Sequence, residues 1–272
     1  MTDILTRYLK RIEHHRPANA TEQELADLVT AQLTAIPFEN LDPLCGVPVA
    51  DLTPEALAKK MVDGKRGGFC YELNGLLRYV LGELGYEVVG LSGRVVWGDT
   101  SGAVPPRTHH VLQVTVPETG RTFLVDVGFG THTLPAPILL ENNAIQRTPH
   151  ADYNLVGSDG RFTLNMQSSR GDKPMYYFDT EPTEAIDLQV GSWYASTFPG
   201  FPFVGAIVAG RVTPEAKWAL GGASLVEYRP GKAVLRTELS SAAEVVRVLG
   251  ETFAIDTDAI AGLTDHVAAV LG

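Results

Sequence analysis

The hydrophobic period of the 272-residue chain changes at Gly85, and this limits the fold more than any other feature. Before Gly85, apolar residues recur at helical spacing. Ile4, Tyr8 and Ile12 share one face, as do Leu25, Leu28, Val29 and Leu33. Thr21 and Glu24 have capping-box spacing, Pro37 stops that helix, and Thr53-Pro54 reads as an N-cap with proline at the first helical position, followed by Leu57 and Met61. The strongest helix starts near Cys70, where Leu73, Leu76, Leu77, Val80, Leu81 and Leu84 form a wide apolar stripe and Gly85 is the C′ stop. After Gly85, segments 88–97, 110–116, 121–127 and 161–166 are short and β-branched or alternating in polarity, with Pro117-Glu118-Thr119-Gly120 as a hairpin loop. In the last third, strands are expected at 205–212, 224–229 and 232–238. Helices follow, one capped by Ser241-Ala242-Ala243-Glu244 and one carrying Ile260, Leu263, Val267 and Val270. The pattern predicts an α+β architecture in three parts: helical over 1–85, antiparallel sheet or barrel over 86–190, and strands then helices over 191–272.

Composition narrows the function. Hydrophobic residues make up 44% and charged residues 20%, enough for a packed core. The net charge of −10, without a basic run, excludes nucleic acid and anionic membranes as expected partners; an anionic small ligand needs a local basic patch or helix N-termini. Two cysteines, Cys45 and Cys70, make neither a disulfide framework nor a four-cysteine zinc site. The N-terminal Met1–Lys10 segment is charged and amphipathic, unlike a signal peptide, and no apolar run reaches the roughly 18 residues of a spanning helix. A soluble cytoplasmic protein with reduced thiols is expected.

The segment Arg66-Gly67-Gly68-Phe69-Cys70-Tyr71-Glu72-Leu73-Asn74 is the most unusual. Its glycines let the backbone turn tightly before a helix. Cys70 then sits at the helix N-terminus, where free N–H groups and the dipole favour a thiolate and could hold an oxyanion. A lone cysteine in such a loop is more often inert, and Cys45 lacks even this setting. A thiol nucleophile needs a base, and the base an orienting group. His109 and His110 begin a predicted strand, and Asp126 ends the next, so paired antiparallel strands could set a histidine beside the aspartate. Neighbours on a strand point to opposite faces, so only one histidine can meet Cys70.

Four segments together, Phe38-Glu39-Asn40-Leu41, Arg66–Asn74, Thr108-His109 and Val125-Asp126-Val127-Gly128-Phe129-Gly130, resemble the arylamine N-acetyltransferase family in order and spacing. They lie in the first half of the chain, and the last third matches mainly in length and element order. The resemblance implies a helical bundle carrying the nucleophile (1–85), a central β-barrel carrying His and Asp (86–190) and an α/β lid (191–272), around a papain-like cysteine site. It implies Cys70 as acyl-accepting nucleophile, His109 as base because it follows Thr108, and Asp126 as the group that orients it. His110 stands where the family tends to have an apolar residue. Phe38, Val95, Thr108, Phe129, Gly130 and Phe203 are carried over as substrate-binding candidates, with ordinary core an equal reading for Val95 and Phe203, and Arg66 and Glu39 are expected to pair beneath the Gly-Gly loop. No metal and no bound cofactor are implied. Acetyl-CoA would be co-substrate and an arylamine, hydrazine or arylhydroxylamine the acceptor, as in xenobiotic metabolism. Competing readings are an amide synthase of macrocyclic natural-product biosynthesis fed by a carrier protein, a hydrolase with the same triad, and, more remotely, a metal-binding module built on Cys70, His109, His110 and Asp126.

Overall fold

The computed structural model describes residues 3–169 and 171–272; Met1 and Thr2, the start of the amphipathic N-terminal segment, lie outside the described residues. The helical part comprises α1 (Ile4–Arg11), α2 (Glu22–Ala35), α3 (Leu41–Leu44), α4 (Pro54–Ala58) and α5 (Cys70–Glu83), with a two-residue strand, β1 (Phe38–Glu39), after α2. The caps follow the sequence. Asp3 accepts the Thr6 N–H at 2.6 Å, Thr21 that of Glu24 at 3.2 Å and Thr53 that of Ala56 at 3.4 Å. Ile36, which precedes Pro37, is extended and ends α2. Gly85 adopts the left-handed conformation expected past a helix end, with φ +92°. Tyr8, Leu25, Leu28, Leu57, Met61, Leu73, Leu76 and Leu77 are buried together around α5.

The second part is a sheet of β2 (Glu87–Val95), β3 (Arg107–Thr115), β4 (Thr122–Val125), β5 (Ile138–Leu139), β6 (Gln146–Arg147), β7 (Asp152–Ser158), β8 (Arg161–Ser168) and β9 (Gly171–Asp179). Neighbours run antiparallel in the order β5-β4-β3-β2-β9-β8-β7-β6. The edges β5 and β6 are joined by a side chain. The Gln146 amide oxygen accepts from Leu139 N at 2.6 Å, and its NH₂ donates to Leu139 O at 2.8 Å, continuing the ladder and nearly closing the barrel. Leu91, Val111, Leu124, Tyr153, Leu155, Leu164 and Met175 fill the interior. Two expected strands are corrected. The strand over 110–116 starts at Arg107, so both histidines lie inside it, and that over 121–127 stops at Val125, because Asp126 turns to accept the Gly128 N–H at 2.8 Å.

The third part holds α6 (Ala185–Thr197), α7 (Pro202–Gly205), β10 (Val208–Val212), β11 (Lys217–Gly221), β12 (Ser224–Tyr228), β13 (Leu235–Glu238), α8 (Ala242–Glu251) and α9 (Leu263–Leu271). Its sheet, ordered β1-β10-β11-β12-β13, takes its first strand from the helical part, with Phe38 opposite Gly210 and Glu39 opposite Ala209. The strand expected over 205–212 begins only at Val208, after the Pro202–Gly205 turn of helix, and Ile260 stands ahead of α9. Helix α6 spans residues 190 and 191, where the second and third parts were expected to meet. It leaves Ile186, Val190 and Trp193 exposed, so it has no single apolar stripe to read in the sequence.

Candidate active site

Cys70 is the first residue of α5. The loop before it is held by charge. Arg66 Nε donates to Glu39 Oε1 and its Nη2 to Asp42 Oδ1, both at 2.8 Å, and Lys60 Nζ lies 2.6 Å from Asp42 and 2.7 Å from Glu72. The expected Arg66–Glu39 pair is therefore one link of a five-residue network. Glu72 closes it on α5, accepting the Phe69 N–H at 3.1 Å. The glycines are needed for closeness, since a Cβ on Gly67 would stand 2.1 Å from Pro37 O and one on Gly68 2.7 Å from Glu72 Oε2. Cys70 is 3% exposed, with Sγ 3.6 Å from Thr108 O.

The loop after β4 lies directly on the first turn of α5. A Cβ on Gly128 would meet Cys70 Cα at 2.5 Å, so only glycine allows this approach. Asn74, one turn beyond Cys70, binds three strands of backbone together. Its Nδ2 donates to His110 O at 2.7 Å and to Asp126 Oδ1 at 3.0 Å, and its Oδ1 accepts from Val127 N at 3.1 Å. Asn74 belongs to the cysteine motif, yet sequence reading gives it no role; its i+4 spacing from Cys70 is the signal that marks it.

His109 and Asp126 are both buried, and Nε2 of the imidazole lies 2.7 Å from Asp126 Oδ2. Nδ1 is left as the ring nitrogen available to a partner other than the carboxylate. Burial pushes His109 down, but the charge and hydrogen bond of Asp126, followed by Cys70, outweigh it and raise the imidazole to about 10. Burial likewise pushes Asp126 up, and His109, Asn74 and the Gly128 amide overcome it, holding the carboxyl below its ordinary range. His110 points to the other face of β3. Its ring stacks on Tyr71 with centroids 6.0 Å apart, and burial, then the charges of Arg78 and His109, push it down to about 3.

A cavity of about 570 Å³ opens above the thiol. It brings together Phe38, Cys70, Val95, Thr108, His109, Phe129, Gly130 and Phe203, while Asp126 stands behind His109 and does not reach the cavity surface. Val95 and Phe203 thus face the cavity, although Phe203 also packs on Phe38 and Phe69, with ring centroids 5.8 and 5.4 Å away. Sequence reading missed Trp97 and the aromatic roof of Tyr194, Phe198 and Phe201. The roof comes from α6 and the turn after it, which gave no periodic signal. Tyr176, from β9, packs its ring 4.7 Å from that of His109 and was missed with its strand. Among the described residues no group of three His, Cys, Asp or Glu side chains is arranged to hold a metal ion, and no helix is long and apolar enough to cross a membrane.

The helical part, the barrel and α6 of the third part converge on one aromatic cavity that holds a thiol and an imidazole backed by a carboxylate, an arrangement suited to acyl transfer. Residues 21–261 match the family described as N-acetyltransferase. An arylamine N-acetyltransferase of Mycolicibacterium smegmatis is 49% identical over 236 residues, 86% of each chain. The M. smegmatis arylamine N-acetyltransferase structure superposes with TM-score 0.95 at 47% identity, covering 100% of this chain and 99% of that one. The Mycobacterium marinum arylamine N-acetyltransferase in complex with CoA does so with TM-score 0.91 at 43% identity over 98% of both chains. The chain belongs to the arylamine N-acetyltransferase family.

Proposed function

We propose that the protein transfers acetyl from acetyl-CoA to the nitrogen of an arylamine or hydrazine, or to an arylhydroxylamine, through an acetyl-Cys70 intermediate. The observation that carries this reading is the His109–Asp126 pair at 2.7 Å, whose imidazole lines the same aromatic cavity as Cys70. Family membership and the CoA complex of the M. marinum relative support CoA as the donor's carrier.

In the first half-reaction the Cys70 thiolate attacks the acetyl carbonyl. The carbon–sulfur bond to CoA breaks, and CoA leaves with the proton of the His109 imidazolium. In the second, the amine attacks the Cys70 thioester, His109 Nδ1 takes the amine proton, and the Cys70 thiolate departs, restoring the ion pair. Asp126 holds the ring through Nε2 throughout and stays ionised. Phe38, Phe129 and Phe203 give a flat aryl group apolar walls and keep water from the thioester.

The test is intact mass after incubation with acetyl-CoA alone, with steady-state kinetics alongside. One acetyl on Cys70 and parallel double-reciprocal lines are expected. Intersecting lines without an acetyl-enzyme would remove Cys70 from this role. Acetylation of Cys70 by a carrier-bound thioester, with none from acetyl-CoA, would favour an amide synthase.

A further inference from the structure

On the side of β3 away from Cys70, a second cavity of about 510 Å³ opens beside α5, with no lining residue in common with the first. His110 and Arg78 give it polar atoms, and Tyr71, Tyr79, Tyr86 and Leu188 give it walls. His110 is 1% exposed, and neither of its ring nitrogens makes a hydrogen bond of good geometry; the Tyr71 backbone favours its charged form, but burial and Arg78 outweigh it. Buried polar atoms are paired in the great majority of cases, so a buried ring at a cavity whose one hydrogen-bonding neighbour is the Tyr71 backbone needs explaining. Arg78 has no ion-pair partner among the described residues; Glu83, on the same cavity, is not within ion-pair distance of it. These groups meet at Gly90. A Cβ there would lie 3.0 Å from His110 Nε2, 3.3 Å from Arg78 Nη1 and 3.4 Å from Leu188 Cδ1.

We infer that this cavity is a second binding site, for a small aromatic carboxylate held between Arg78 Nη1 and His110 Nε2, with its ring against Tyr71 and Leu188. The guanidinium supplies the positive charge and the donor geometry that suits a carboxylate. Burial and the Arg78 charge keep His110 neutral, and in the tautomer protonated on Nε2 the imidazole adds one N–H donor and no second charge, which matches a monoanion. The remaining surface is mostly apolar and aromatic, which suits an aryl ring better than a sugar or a polyphosphate. The site stands back to back with the thiol: Tyr71 follows Cys70 on α5, and His110 follows His109 on β3.

Benzoate is the probe, measured by titration calorimetry on the full chain. Protein with Cys70 carbamidomethylated, which blocks the first cavity, is titrated in parallel, and benzylamine serves as the ligand lacking the carboxylate. Saturable one-to-one benzoate binding is expected with and without Cys70 alkylation, and none with benzylamine. Arg78→Gln removes a charged hydrogen bond and Gly90→Ala fills the meeting point, so each is expected to weaken benzoate by about tenfold or more, in protein with an unchanged circular dichroism spectrum. No saturable binding, loss of binding on Cys70 alkylation, equal binding of benzylamine, or a smaller loss in both folded variants would overturn the site. None of these outcomes bears on acetylation of Cys70, which is scored separately by mass.

Discussion

Two adjacent histidines on one strand have opposite environments, and a single peptide unit separates them. His109 turns toward Asp126 and is raised to about 10, whereas His110 turns toward Tyr71 and is pushed down to about 3. The cause is the two-residue period of the strand, which the sequence contains; which of the two faces Asp126 depends on the register of β3 with β4, which it does not. The Thr108-His109 motif chose the first, and the carboxylate lies on that side. In the proposed reaction, His109→Ala should lower kcat/KM for acetyl transfer by about 10²–10⁴, the usual range for a lost general acid–base. Asp126→Asn should be similarly severe, because the ring loses its charged anchor. His110→Ala should cost less than about tenfold, since it reaches the reaction only through packing. Steady-state rates with a common arylamine check all three, and a reversed order of the two histidine variants would overturn the assignment of the base.

Short-range chemistry makes some of the elements legible in the sequence itself. The caps at Thr21, Thr53 and Ser241, the stop at Gly85, and the stripe along α5 each depend on residues within one or two turns of each other, and each appears where it was expected. What was not legible depends on partners far along the chain. β1 is two residues long and exists because β10 pairs with it, β9 opens with the polar run Gly171-Asp172-Lys173-Pro174, and α6 keeps large apolar residues in solvent. The candidate site reads better than the fold around it, because its motifs are local glycine turns and helix starts, while its aromatic roof belongs to the element the pattern hid. The loop after β4 gives a test at this scale. In Gly128→Ala the new methyl meets Cys70 backbone at 2.5 Å, with no flexible side chain to yield, so the loop or the first turn of α5 must move. Displacement of reacting groups by about 1 Å costs on the order of a hundredfold, and Gly128→Ala should lose activity on that scale. Gly250→Ala, in α8 with no contact nearer than 3.8 Å, should instead gain about 0.5–1 kcal/mol of stability from the stiffer unfolded chain. Activity assays and denaturant melts on the two variants separate close approach at the site from a general intolerance of alanine.

Across the whole molecule, the buried charges give stability two pH limbs with different owners. Asp42 and Asp126 are held below their ordinary range although burial opposes it, Asp42 by Lys60 and Arg66 and Asp126 by His109. Their contributions are complete above the ordinary carboxylate value of about 4 and are lost as the pH falls through the folded value, and buried His110 and partly buried His132, pushed down to about 3 and about 4, add to the same acid limb as the pH falls below about 6.5. Glu72 works against this. Burial raises it to about 7 despite Lys60, so between about 4.5 and 7 the folded chain keeps a proton that the unfolded chain has released, and that stretch costs stability as pH rises. His109 begins the alkaline limb, at lower pH than Cys45 and Tyr8, which burial also raises. Its folded value near 10 lies above the ordinary value of about 6.5, so its contribution is complete below 6.5 and disappears as the pH climbs toward 10. His109→Gln keeps a side chain of similar length without the titration, and every other ionisable group is common to the two proteins. The melting-temperature advantage of the wild type over His109→Gln should therefore be largest near pH 6 and should shrink steadily toward pH 10. In a chain of this size, about 1 kcal/mol of lost advantage narrows the gap by ~2–4 °C. Calorimetric melts of both proteins at one-unit pH intervals measure it directly. A gap that stays flat from pH 6 to 10 would mean that His109 has the same proton affinity folded and unfolded, and that Asp126 does not hold it as an ion pair.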